Sequence, residues 1–165
     1  GREIRSGGGI MEILNVRPAE PGGVGKIWEL LATYAHERLL LARPQEDIQE
    51  KLKNFRVGEI GGEFVCCLAL RNFGGGLYEV RSLAVRREYN NRGIGSKLVQ
   101  GAIDHLKAQG GPCRVFALTY RAHFFHRLGF QTVDKELFPQ KIWSDCSKCP
   151  KKEHCDETAV LLELN

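Results

Sequence analysis

The stretch from Leu77 to Gln100 constrains the fold most. An alternating segment, Tyr78-Glu79-Val80-Arg81-Ser82-Leu83-Ala84-Val85, runs into a charged turn, Arg86-Arg87-Glu88-Tyr89, and then into Asn90-Asn91-Arg92-Gly93-Ile94-Gly95-Ser96. Beyond it Ile94, Leu98, Val99, Ala102, Ile103 and Leu106 recur at helical spacing. The pattern is a strand, a glycine turn and a helix N-terminus. Such a junction suits a phosphate: the first helical N–H groups lack intrahelical partners, the helix dipole adds positive charge, and glycines admit a bulky anion. Arg92 adds a mobile cation. Two glycines between a strand and a helix can equally be a plain tight connection, so the surrounding residues decide.

The remaining chain reads as an α/β (α+β) protein. Met11 to Arg17 alternates as a strand, Pro18 to Gly25 is a turn, and Ile27, Leu30, Leu31, Tyr34 and Ala35 give a helix one apolar face. A second helix is expected over Gln45 to Phe55. Phe55 to Ile60 and Glu63 to Arg71 form a hairpin around Gly61-Gly62. After the helix that follows Gly93 come a strand over Arg114 to Thr119, a short helix over Tyr120 to Leu128 closed by Gly129, and strands over Phe130 to Val133 and Ala159 to Leu164. The expectation is a mixed, mainly antiparallel sheet flanked by helices.

At 165 residues and 42% hydrophobic composition the chain can bury one core and is short for two ordinary domains. Residues 11–165 are expected to form a single domain, with the glycine-rich residues 1–10 a tag or disordered leader outside it. A net charge of +4 without a polybasic run or interleaved aromatics argues against nucleic acid. The sequence has no apolar run of ~18 residues, so no membrane is expected, and no secretory signal is visible. Six cysteines in a chain with ample core material do not resemble a secreted disulfide framework, which points to a reducing cytosol. Cys66 and Cys67 fall in an apolar strand and are expected to pack inside it.

The run Leu83-Ala84-Val85, the charged turn, Asn90-Asn91-Arg92-Gly93-Ile94-Gly95 and the amphipathic helix resemble the acetyl-CoA signature of the Gcn5-related N-acetyltransferases (GNAT). The resemblance implies that Leu83, Ala84 and Val85 hydrogen-bond the pantetheine arm. It also implies that Asn90, Asn91, Arg92, Gly93, Ile94, Gly95 and Ser96 hold the pyrophosphate. Asn90 replaces the Gln or Arg usual in that family. The Leu83 N–H would meet the thioester oxyanion, since family members often carry a bulge there. Many relatives use a tyrosine to protonate the thiolate at the position of Phe125; here Phe125 is expected only to line the cofactor, and Tyr120, with His123 beside it, is the alternative donor.

Glu79, on the same side of its strand as Arg81, Leu83 and Val85, is the candidate to remove the amine proton, because an α-amino group with a pKa near ~8 arrives mostly protonated. The competing reading is a structural ion pair with Arg81. Further segments sharpen the resemblance: Glu79 to Val85, Phe116-Ala117-Leu118-Thr119-Tyr120 with Phe124-Phe125, and Phe138 to Cys146 through Cys149 to Glu157. These are similar to stand-alone amino-acid N-acetyltransferases related to N-acetylglutamate synthase. By that resemblance the acceptor is the α-amino group of glutamate and the pathway is arginine biosynthesis. A dicarboxylate needs cationic anchors, and arginine grips a carboxylate bidentately; Arg43, Arg81 and Lys141 are the candidates. The relatives' Leu-Pro-Arg-Ser is here Leu41-Ala42-Arg43-Pro44. The expected partners are a small-molecule amino acid and, for assembly, a second copy as a homodimer.

Cys146, Cys149 and Cys155 have the first spacing of a metal knuckle without its second pair. They are candidate ligands of a structural zinc; a packed turn, with a disulfide formed on air oxidation, is the competing reading. Two other functions fit the sequence: acetyl transfer to a different amine, and an acetyl-CoA-binding sensor with little turnover.

Overall fold

The computed structural model describes residues 2–5, 11–36, 43–137 and 157–165. Lys141, Cys146, Cys149 and Cys155 lie outside them, and with them the zinc expectation. The chain divides into two compact units, Gly1–Arg71 with Val80–Gly110 and Asn72–Glu79 with Gly111–Asn165.

Strands β1 (Arg2–Arg5), β2 (Met11–Pro18), β3 (Phe55–Ile60), β4 (Glu63–Gly74) and β5 (Leu77–Val85) follow one another in the sheet, the first unit taking β4 as far as Arg71 and β5 from Val80. Pairing is antiparallel from β1 to β4, with Glu3 opposite Ile13, Val16 opposite Gly58 and Val57 opposite Cys67. Arg2–Arg5, within the residues expected to be a tag or leader, form the four-residue strand β1. Gly61 and Gly62 turn the β3–β4 hairpin at φ +58° and +84°, values that cost glycine little.

Helix α1 (Val24–His36) and helix α2 (Gln45–Glu50) supply Ile27, Leu30, Leu31 and Ile48 to a core shared with Phe55, Val57, Cys67, Ala69 and Ala84. α2 is shorter than its periodicity suggests. It stops at Glu50, Leu52–Asn54 form a 3-10 turn, and Phe55 leaves the helix for β3. Phe55 is 1% exposed and sits opposite Ala69, so the burial that helical spacing promised is collected in the sheet. Helix α3 (Ile94–Ala108) buries Ile94, Leu98, Val99, Ala102, Ile103 and Leu106, the stripe read from sequence.

The second unit continues from the start of β5 to β6 (Cys113–Thr119), β8 (Thr158–Leu164) and β7 (Gln131–Val133), in that spatial order. β5 and β6 pair in parallel, with Tyr78 opposite Val115, because α3 intervenes in the chain and a parallel pair requires such a crossover. The remaining pairs are antiparallel. Helix α4 (Ala122–His126) lies between β6 and β7 in sequence and is shorter than the expected Tyr120 to Leu128. Phe116, Ala159 and Leu161 form the buried centre of this unit, ringed by Phe73, Leu77, Leu118 and Val133. The sheet is mixed and mainly antiparallel, as expected.

Candidate functional site

Among the described residues, β5 carries the most unusual backbone. Ser82, inside the strand, has φ +53°, in the left-handed region that L residues other than Gly, Asn and Asp seldom enter. It directly precedes Leu83. Burial alternates around it: Val80, Ser82 and Ala84 are buried, while Arg81, Leu83 and Val85 are half-buried. The end of the strand is fixed by the Tyr34 hydroxyl, which donates to the Val85 carbonyl at 2.6 Å, and by the Arg86 N–H, which donates to Val65 at 2.8 Å.

The loop then opens onto α3. Asn91 at φ +64° and Gly93 at φ +75° both sit in the left-handed region, and Gly93 is the N-cap. Its carbonyl accepts from Lys97 N–H at 3.1 Å, closing the first turn. The N-cap supplies no side-chain hydrogen bond and the first turn holds no acidic residue. The early N–H groups are therefore left without a side-chain cap, an arrangement that suits an anion. Asn90, Asn91 and Gly93 are exposed, whereas Ile94 is buried and anchors the helix. Arg92 stacks over Tyr89 at 5.1 Å and Arg87 over Tyr34 at 5.0 Å, so both cations stand on aromatic faces beside the loop.

A second group of charges forms around Arg43, which directly precedes Pro44 and is only 8% exposed. Its Nε donates to Asp47 Oδ2 at 2.8 Å, its Nη1 donates to Ser82 Oγ at 2.9 Å, and its Cζ lies over the Phe55 ring, 5.0 Å from the centre. Burial lowers the basicity of the guanidinium and the Arg81 charge nearby lowers it further, while Asp47 pulls the other way. Burial raises the Asp47 carboxyl, but hydrogen bonds from Lys51 and Arg43 outweigh it and hold the group below the usual carboxylate range. Arg43 and Arg81, proposed separately from sequence, thus lie within electrostatic reach of each other. Asp47 and Ser82 were not anticipated. Asp47 at the i+4 position from Arg43 is a legible ion-pair signal; a single serine in an apolar strand carries no comparable one.

The other expected residues fall as follows. Glu79 is 2% exposed on β5. Tyr120, just past β6, is 38% exposed. Phe125 is buried on α4, edge-on to Phe124 at 5.0 Å and to Phe130 at 5.1 Å, a packing position. Cys66 and Cys67 are both fully buried; burial pushes the Cys66 thiol up to about 12 and the Cys67 thiol further. Among the described residues no group of three metal-ligating side chains occurs, and no helix is long and apolar enough to cross a membrane.

Residues 24–130 match the family described as the Acetyltransferase (GNAT) family. The chain is 40% identical over 152 residues to an uncharacterized N-acetyltransferase of Chlorobaculum tepidum, covering 92% of this chain and 96% of that one. It is 29% identical over 140 residues to an amino-acid acetyltransferase of Pseudomonas fluorescens, covering 82% of this chain but only 32% of the relative. The chain therefore spans about a third of that enzyme. Among solved structures, a Mycobacterium tuberculosis protein in complex with CoA and NLQ superposes with a TM-score of 0.76 at 28% identity, covering 92% of this chain and 99% of that one. The fold also matches N-acetylglutamate synthase of Neisseria gonorrhoeae, complexed with coenzyme A and N-acetyl-glutamate. That match has a TM-score of 0.81 at 24% identity, over 93% of this chain and 35% of that one.

Proposed function

Because the chain belongs to the GNAT acetyltransferase family, we propose that this acetyl-CoA-dependent N-acetyltransferase acts on the α-amino group of an amino acid, with L-glutamate as the acceptor. What supports the reading is the buried Arg43, held by Asp47 at 2.8 Å and by Ser82 at 2.9 Å, with burial and, less strongly, the Arg81 charge on β5 lowering its basicity. Asp47 already balances Arg43 at its Nε edge, and a dicarboxylate acceptor would add one carboxylate to each guanidinium. The amino-acid acetyltransferase relatives point the same way. The product would be N-acetylglutamate, and the pathway proposed with it is arginine biosynthesis.

In this reading the N–H groups opening α3, with Arg92, receive the pyrophosphate, and the backbone from Leu83 to Val85 guides the pantetheine arm. The amine nitrogen attacks the thioester carbon as the C–S bond breaks. The Leu83 N–H meets the oxyanion, and the left-handed turn at Ser82 supports that role by interrupting the regular strand just before it. Glu79, directly or through water, takes the amine proton. Tyr120 protonates the thiolate. Arg43 and Arg81 hold the two carboxylates, with Lys141 a third cation.

Replacing Arg81 with Gln tests the charge argument. The glutamate-to-glutamine ratio of kcat/KM should fall by about tenfold or more, the worth of one charged hydrogen bond. An unchanged ratio would remove Arg81 from acceptor recognition.

A further inference from the structure

We propose that Ser82 is a positioning residue that ties the acceptor anchor Arg43 to the strand segment presenting the Leu83 N–H; the proposal rests on Arg43 being that anchor. Ser82 is held from two sides. Its hydroxyl accepts from Arg43 Nη1 at 2.9 Å and its carbonyl accepts from Cys67 Sγ at 3.5 Å. The residue is 9% exposed and its backbone is in the left-handed region, a state that persists in a non-glycine residue when the surroundings over-determine it and that clusters at functional sites.

The other edge of the same guanidinium is fixed by Asp47 at 2.8 Å, and Asp47 is in turn tied to Lys51 at 2.9 Å. With Phe55 against its face, the fork is held at Nε, at Nη1 and across its plane. A carboxylate arriving at Arg43 meets a cation that has already lost its rotamer freedom, which favours binding. The peptide that follows Ser82 delivers the Leu83 N–H. A change in how Arg43 is held is therefore passed through one residue to the backbone proposed to face the thioester, linking acceptor affinity to turnover.

The test is a kinetic cycle of Ser82→Ala, Arg43→Lys and the double variant in the full chain, with acceptor KM and kcat measured beside the calorimetric Kd for acetyl-CoA. Ser82→Ala should raise the acceptor KM about tenfold to a hundredfold and lower kcat, with the acetyl-CoA Kd unchanged. In the Arg43→Lys background the same substitution should have little further effect on KM, because its partner is gone. Additive effects, or a matching loss of acetyl-CoA affinity, would overturn the proposal. If Ser82→Ala does not fold, Asp47→Asn leaves β5 untouched and should raise the acceptor KM in the same selective way; an unchanged KM there also counts against the clamp. Failure of the underlying reading looks different: wild type would acetylate no amino acid, or Arg43→Lys would leave the acceptor KM where it was.

Discussion

Gly58→Ala offers a test of how the strands around the first unit's core are packed. Gly58 is buried on β3, opposite Val16 and Cys66, at the point where the β3–β4 register shifts. A Cβ built there would collide with Cys66 Sγ and stand 2.9 Å from Leu14 Cδ1. Both neighbours are fully buried, so neither can swing into solvent. Overpacking of this kind costs about 1–3 kcal/mol. The lower entropy of an unfolded chain with alanine returns about 0.4–1 kcal/mol. The net loss is at most about 2.6 kcal/mol, and at about 2–4 °C per kcal/mol for a chain of this size the melting temperature should drop by up to about 10 °C. Differential scanning calorimetry reads it directly. The cause is checked by Cys66→Ala, which removes the colliding sulfur: Gly58→Ala should cost less in that background, by about 0.5 kcal/mol or more. A Gly58→Ala protein that melts at or above wild type, or a cost unaffected by Cys66→Ala, would refute the packing argument.

Glu79→Gln should lower kcat by about 10²- to 10⁴-fold, the usual contribution of a positioned base, and leave the calorimetric Kd for coenzyme A unchanged; equal turnover would release Glu79 from proton transfer. Gly93→Ala places a Cβ in open space but at φ +75°, so it should destabilise the fold by about 1–2 kcal/mol through strain alone and weaken coenzyme A binding as well, both read by thermal melts with and without ligand. The Asp47 carboxyl, held low in the folded state, stabilises fully above the unfolded carboxylate pKa of about 4, and that contribution is lost as pH falls through the folded value. The melting-temperature gap between wild type and Asp47→Asn should therefore be wider at pH 6 than at pH 3. Cys66 and Cys67 should resist iodoacetamide at pH 8 until the chain unfolds, as mass spectrometry of timed samples would show, since thiolate is the reacting species and burial holds both thiols neutral.

The organising segment was legible because three local rules agree there: period-two alternation before Val85, glycines at the turn, and a helical stripe from Ile94 to Leu106. The same rules misread the end of α2, where Phe55 keeps helical spacing with Ile48 and Leu52 while being claimed by a strand partner 14 residues away, Ala69. Local periodicity has no access to that partner. Arg43 could be nominated as a cation from sequence, and Asp47 four residues on could have joined it. Ser82 could not, because a hydroxyl's partner 39 residues distant and a positive φ inside a strand are set by tertiary contacts. Tyr34 was read as core, and its hydroxyl bond to Val85 follows from where α1 lies on the first unit's sheet.

Acetyl transfer to the amino group of glutamate can be read by mass spectrometry of a mixture of the purified protein, acetyl-CoA and a panel of free amino acids. A thiol dye would be confounded by the six cysteines. N-acetylglutamate should be the dominant product, with neutral and cationic amino acids acetylated far more slowly. Selective acetylation of a cationic or neutral amino acid, or no acetylated amino acid from a protein that binds acetyl-CoA, would contradict it.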